Sequence, residues 1–343
     1  MVEDSRSARH LIVSILKSDP DISVVGEAEN GTEGVRMAAE LSPDVITMDI
    51  AMPEMNGLDA TRRIMERNPI PIVMVTASYA STDAQLSFRA LEAGAITVVD
   101  KPQGPASPDF EQTSRMLLDT VKLMADVGVV TRRPRREDPT IEARPLPLRD
   151  RSERVALVAI GASTGGPAAV AKLLRALPGD LPVPVVVAQH ISPGFEQSLA
   201  DWLDGDCDLR VRLPSHGERL VGGEVLIAPE GRHLGVTRAG RVALSDGDPV
   251  GQHRPSVTYL FRSVAEAYGS AAIGVILTGM GADGAEGALA LRRAGGLVLA
   301  QDEPSSVVYG MAREAVALGA VDQLGAPEQL GAMIAEAVTP GAG

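Results

Sequence analysis

A single cysteine, Cys207, in 343 residues excludes an internal disulfide and a multi-cysteine zinc site, and it fits a reducing compartment. No apolar stretch approaches the roughly 20 residues that span a bilayer. The start, Met1-Val2-Glu3-Asp4, is not that of a signal peptide. The expected location is therefore the cytoplasm, without membrane insertion. Positive charge is also short: 32 Lys and Arg stand against 45 Asp and Glu, for a net charge of −13. That total divides as −8 over residues 1–125, +2 over 126–152 and −7 over 153–343, so neither flanking half offers a basic surface to nucleic acid.

What the chain does have is length and apolar content for two cores, with 45% hydrophobic residues. Residues 1–122 alternate helical periodicity with short apolar runs, clearest at 44–49, 71–76 and 95–101, a pattern that predicts a doubly wound parallel sheet. The runs end in Asp49, Thr76 and Lys101, and Glu3-Asp4 closes what would be the first strand. Three carboxylates, a hydroxyl and an ammonium therefore converge on one edge. Oxygen ligands of this kind suit Mg²⁺, while Lys and Thr suit phosphoryl oxygens. Helical periodicity returns near 103–124, and an Arg- and Pro-rich stretch then reads as a tether. Because that basic run has no interleaved aromatics, it is read as solvated chain rather than a nucleic-acid contact.

The second half opens on Val155-Ala156-Leu157-Val158-Ala159-Ile160-Gly161-Ala162-Ser163-Thr164-Gly165-Gly166-Pro167, an uncharged run that reads as a buried strand turning tightly into a helix. Ser163 then lies at a strand's C-terminal end facing a helix N-terminus, where α/β sheets place their chemistry. It could equally be an N-cap, and the glycines could cradle a nucleotide phosphate, although the spacing is not G-x-G-x-x-G. Residues 184–188 form another strand-like run, ending in Gln189-His190. A third, 272–277, runs into Thr278-Gly279-Met280-Gly281-Ala282-Asp283-Gly284. If these strands are parallel in one sheet, Ser163, His190 and Asp283 share an edge as nucleophile, base and orienting carboxylate. His216, His233 and His253 are rivals to His190, and no G-x-S-x-G elbow is present.

Two resemblances sharpen these readings. Residues 1–124 resemble the receiver domain of response regulators at Glu3-Asp4-Ser5, Met48-Asp49 through Asn56-Gly57, Thr76-Ala77 and Asp100-Lys101-Pro102. The likeness implies that Asp49 accepts phosphate from a chemotaxis-type histidine kinase. It further implies that Glu3, Asp4 and Asp49 bind Mg²⁺, that Thr76 reads the phosphoryl group and that Lys101 pairs with it. Two departures stand out: the first strand is cut to Met1 and Val2, which predicts neighbours without backbone partners, and Val98 replaces the family's usual aromatic.

Residues 153–343 resemble the chemotaxis protein-glutamate methylesterase family, CheB, at Gly161 to Pro167, Gln189-His190-Ile191, His253-Arg254-Pro255-Ser256-Val257, Thr278 to Gly284 and Gln301-Asp302-Glu303. Ala312 stands where proline is usual. The resemblance implies a phosphorylation-regulated serine esterase with Ser163, His190 and Asp283 as its triad and the Met280 backbone N–H as oxyanion donor. The implied substrates are glutamate methyl esters, and glutamines for deamidation, on methylated chemoreceptors. No cofactor is implied in this half. The implied architecture is α/β throughout, with two doubly wound parallel-sheet domains: a flavodoxin-like receiver with a truncated first strand (1–124), a linker (125–152) and a Rossmann-like methylesterase domain (153–343). The alternative is a response regulator whose output binds nucleotide or protein without catalysis.

Overall fold

Three of the apolar runs become the parallel strands β1 (Ile46–Met48), β2 (Ile72–Thr76) and β3 (Thr97–Asp100), hydrogen-bonded in that order. The computed structural model describes residues 1–76, 89–91, 93–125, 154–191 and 194–338. The chain divides into two compact units, Met1–Asp138 and Pro139–Gly343. The predicted linker lies outside the described residues, except for Ala125, which ends a helix. No helix among the described residues is long and apolar enough to cross a membrane.

In the first unit the helices Arg6–Lys17, Gly31–Leu41 and Gly57–Arg67 start at Ser5, Asn30 and Asn56, whose side chains accept the N–H groups of Ala8, Glu33 and Asp59. Such caps satisfy donors that the first helical turn leaves free. The first helix buries Ile12, Val13, Ile15 and Leu16, a one-sided stripe at helical spacing. The last helix spans Phe110–Ala125 rather than starting near 103, because Gly104, Pro105 and Pro108 hold residues 101–109 in turns and loop.

The short first strand is not without partners, contrary to expectation. The Val2 N–H donates to the Thr47 carbonyl at 2.9 Å, and its carbonyl accepts the Asp49 N–H at 2.9 Å. On the other side Ala28 N–H donates to Met1 O at 2.9 Å and Glu3 N–H to Ala28 O at 3.0 Å. Val2 thus bridges Ala28 and Met48 in parallel, and the order Ala28, Val2, β1, β2, β3 follows the flavodoxin-like arrangement. The pairing is one bridge wide on each side. Beyond it lies a cavity of about 160 Å³ bordered by Val2, Val24, Val25 and Ile46.

The second unit contains β4 (Leu157–Ala162), β5 (Val185–Gln189), β6 (Arg210–Arg212), β7 (Glu224–Ile227), β8 (His233–Val236), β9 (Val242–Ser245), β10 (Ala272–Ile276), β11 (Leu297–Gln301) and β12 (Gln323–Gly325). Seven of them form one parallel sheet in the order β12-β11-β10-β4-β5-β7-β6, while β8 and β9 make an antiparallel hairpin. From β4 the chain goes to β5 on one side and later to β10 on the other. That reversal is the switch point of a Rossmann-like sheet, where a crevice opens at the strands' C-terminal ends. Every residue of β4, β5 and β10 is buried, as expected of central parallel strands covered on both faces.

The helix Val257–Tyr268 packs Val257, Leu260, Phe261 and Val264 into the same core as Leu157, Ala159 and Leu291. Phe261 is fully buried, and truncating such a residue typically costs about 3–5 kcal/mol. At the helix start Val257 sits so close to β4 that a Cβ on Gly161 would fall 2.0 Å from its Cγ1. This contact brings the helix N-terminus to the edge where Asp283 lies.

Candidate functional site

Ser163 follows β4 directly, and its N–H donates to Thr278 O at 3.0 Å, stitching the ends of β4 and β10 together. It is not an N-cap. The helix Gly166–Arg175 starts from Gly165 in the left-handed region (φ +75°), with no side-chain cap. The glycines have packing reasons of their own: a Cβ on Gly166 would lie 2.1 Å from Gln189 Oε1, and one on Gly165 2.6 Å from Val307 Cβ. The Gln189 amide nitrogen in turn donates to Ser163 O at 2.8 Å and His190 O at 2.7 Å, tying the two strand ends together.

His190 follows β5, and its N–H donates to Ala162 O at 2.9 Å. Its Nε2 lies 2.9 Å from Asp283 Oδ2. Since Asp283 is a carboxylate, Nε2 carries the hydrogen and Nδ1 is the free lone pair. That Nδ1 is buried and has no hydrogen-bond partner. Asp283 accepts three further hydrogen bonds, from Ser256 Oγ (2.8 Å), Val257 N–H (2.8 Å) and Thr258 N–H (3.0 Å). Burial by itself would push its pKa up. The bonds from His190, Thr258 and Val257 outweigh burial and hold the carboxyl well below the usual range. The helix N-terminus supplying two of those donors adds its own positive end.

The strand ends are braced from below. Thr278 N–H donates to Gln301 Oε1 at 2.8 Å, and Thr278 Oγ1 donates to Thr164 O at 2.9 Å. Gly279 lies against Ser163, where an added Cβ would fall 2.7 Å from Ser163 Cβ. Met280 is the next residue along the chain. The Met280 N–H has no hydrogen-bond partner among the described residues.

Three residues that sequence reasoning assigned no such place, or another one, prove to be in this cluster. Ser256 and Thr258 hold Asp283. The local signal for Ser256 was a serine directly before an apolar helical run, which is an N-cap pattern. His253, weighed as a rival base, instead stacks its ring on His190, with centroids 4.0 Å apart and planes 6° from parallel. The other rivals bond backbone groups instead: His216 Nδ1 meets Leu244, while the fully buried His233 bonds Asp248 O and Ser256 N–H.

In the first unit Glu3 and Asp49 are buried, Asp4 is exposed, and one carboxylate oxygen of each lies within 4.8 Å of the others. Lys101 Nζ sits 2.8 Å from Glu3 Oε2 and 3.2 Å from Asp49 Oδ1. Burial raises the pKa of both Glu3 and Asp49 in spite of Lys101. Burial would lower that of Lys101, but its bonds to Glu3 and Asp49 raise it. Two buried carboxylates that share one ammonium, with an exposed third beside them, form a hard oxygen-donor set that fits a small divalent cation. Buried Thr76, at the end of β2, accepts the Lys101 N–H through its carbonyl at 2.7 Å.

A receiver-like unit with an acidic, lysine-bearing edge, followed by an α/β unit with a serine and a His–carboxylate pair on one sheet edge, defines a response regulator with an α/β output. Comparison with known proteins is specific. Residues 1–107 match the response regulator receiver domain and residues 158–334 match CheB methylesterase. The protein-glutamate methylesterase/protein-glutamine glutaminase 4 of Myxococcus xanthus is 51% identical over 91% of this chain and 88% of its own length. Its counterpart numbered 3 from Hahella chejuensis is 46% identical over 98% of this chain and 97% of its own. The crystal structure of the Thermotoga maritima CheB methylesterase catalytic domain is 38% identical with a TM-score of 0.52, covering 54% of this chain and 99% of that one. The chain belongs to the CheB methylesterase family.

Proposed function

We propose that this chain is a phosphorylation-regulated serine esterase that hydrolyses glutamate methyl esters on chemoreceptors and deamidates receptor glutamines. The observation that carries this reading is the pairing of His190 Nε2 with Asp283, which leaves a buried, unpartnered Nδ1 on the sheet edge that also holds Ser163. Ser163 Oγ attacks the ester carbonyl and His190 Nδ1 takes its proton. The Met280 N–H meets the developing oxyanion, where a preorganised donor is worth about 10²–10³ in rate. His190 returns the proton to the leaving oxygen and methanol departs. From a glutamine side chain, ammonia departs instead. Water then gives a proton to Nδ1 and attacks the acyl carbon; the bond to Ser163 Oγ breaks as Nδ1 returns the proton to that oxygen, which restores the serine and leaves a receptor carboxylate.

Glu3, Asp4 and Asp49 would hold Mg²⁺, which would supply positive charge to offset that of a phosphoryl group on Asp49. Thr76 and Lys101 contact that group, and a chemotaxis-type histidine kinase supplies it. The setting is the cytoplasm, with no nucleic-acid partner. Labelling by a serine-directed inhibitor and mapping of the modified residue tests the assignment. Modification at Ser163 with parallel loss of methanol release from methylated receptor membranes is expected, and labelling elsewhere would refute it.

A further inference from the structure

One hydrogen bond does not fix an imidazole. His190 is held at Nε2 by Asp283, and the ring stays free to rock about the line from Cβ to that nitrogen. Nδ1 lies off this line, so rocking moves the lone pair that faces the reaction. Displacements of about 1 Å at a reacting atom cost on the order of 10²-fold in rate. Something must stop the rocking, and the structure holds one candidate.

The His253 ring lies flat against His190, with centroids 4.0 Å apart and planes 6° from parallel. Its own anchorage does not depend on His190. The backbone of His253 exchanges two hydrogen bonds with Val250, both 3.2 Å. Next along the chain, the Arg254 guanidinium donates to Asp246 O and Gly247 O, each at 3.1 Å. Among the described residues the His253 ring nitrogens make no hydrogen bond, so the ring contributes its face and nothing else.

Resting on the esterase reading above, we infer that His253 is a positioning residue whose ring face clamps the His190 plane and presents Nδ1 to Ser163. The same face keeps water off one side of His190, whose side chain is 12% exposed. It also suits the intermediate: when His190 carries the serine proton, a neutral ring against it adds no competing charge. Burial, and then the neighbouring His190, lower the pKa of His253, while Asp283 opposes them, so the neutral ring is favoured.

The test is steady-state methanol release by the full-length protein, with phosphodonor and Mg²⁺, comparing wild type, His253→Ala, His253→Phe and Ser163→Ala. Thermal melting of each variant reports folding. His253→Ala is expected to lower kcat by about 10- to 100-fold with KM held within about threefold. His253→Phe restores the flat face without the nitrogens and returns kcat to within about threefold of wild type. If His253→Ala melts well below wild type, His253→Asn, which removes the ring but keeps a polar side chain, carries the same expectation. A wild-type kcat in the ringless variants overturns the inference. So does a change confined to KM, which would make His253 a substrate contact, or a phenylalanine variant as slow as the alanine one. If Ser163→Ala still turns over, the esterase reading itself fails; if it is inactive and His253→Ala is fully active, only the clamp fails.

Discussion

The Ser256 hydroxyl donates to Asp283 Oδ1 at 2.8 Å while accepting the Tyr259 N–H at 3.2 Å, so one serine both caps a helix and holds the carboxylate that orients His190. Ser256→Ala therefore removes two interactions at once. Loss of the cap should cost about 1 kcal/mol of stability. Asp283 also loses one of its four donors, which loosens the carboxylate that pairs with His190. Denaturant titration and kcat should both register the change, and a variant as stable and active as wild type would contradict this account.

Ser163→Ala and His190→Ala should each reduce turnover by on the order of 10⁴–10⁶ while leaving the fold intact. Asp283→Asn should be milder than either, though still severe. Each atom that meets the Asp283 side chain is a donor, so the amide nitrogen of asparagine would face a hydrogen it cannot accept. Methanol release with circular dichroism as a folding control distinguishes these losses from unfolding.

The depressed pKa of Asp283 has a definite sign in stability. Its folded-state value lies below the unfolded value of about 3.9, so the unfolded chain binds the extra proton. The stabilisation is fully present above that unfolded value and disappears as pH falls toward the folded one. Melting of the methylesterase unit in the full chain should thus show a loss below about pH 4, and Asp283→Asn should flatten it.

Glu3 and Asp49 behave oppositely, because burial raises their folded-state values. The folded receiver unit then holds more protons than the unfolded chain, and stability falls as pH rises through the range above the ordinary carboxylate values. A divalent cation should offset that fall. Calorimetry of the full chain should show the receiver transition raised by Mg²⁺ more at pH 8 than at pH 5. Lys101→Met, which leaves both buried carboxylates without their ammonium, should destabilise the unit by about 3–5 kcal/mol.

Asp49→Ala should block activation by a small phosphodonor without lowering basal methanol release. Comparing full-length wild type and Asp49→Ala, each with and without phosphodonor and Mg²⁺, measures this. Equal responses in the two proteins would separate phosphorylation from control of the esterase.

Much of the architecture was legible because strand ends announce themselves locally. An uncharged run stopping at Ser163, another at His190, and a third entering the Asp283 turn follow from composition alone. The receiver edge was legible for the same reason, through Asp49, Thr76 and Lys101. Sequence-local patterns did not carry the order β10-β4-β5, which sets those three tails side by side. Nor did they show that Met1, Val2 and Glu3, at the start of the chain, together exchange backbone bonds with the segments on both sides. His253 looked like a competitor of His190, and only its stacking on that ring made it a companion. Local periodicity reports how a segment buries itself, whereas these relationships join residues tens of positions apart. They exist only once the packed core has fixed which strand ends and helix starts share an edge.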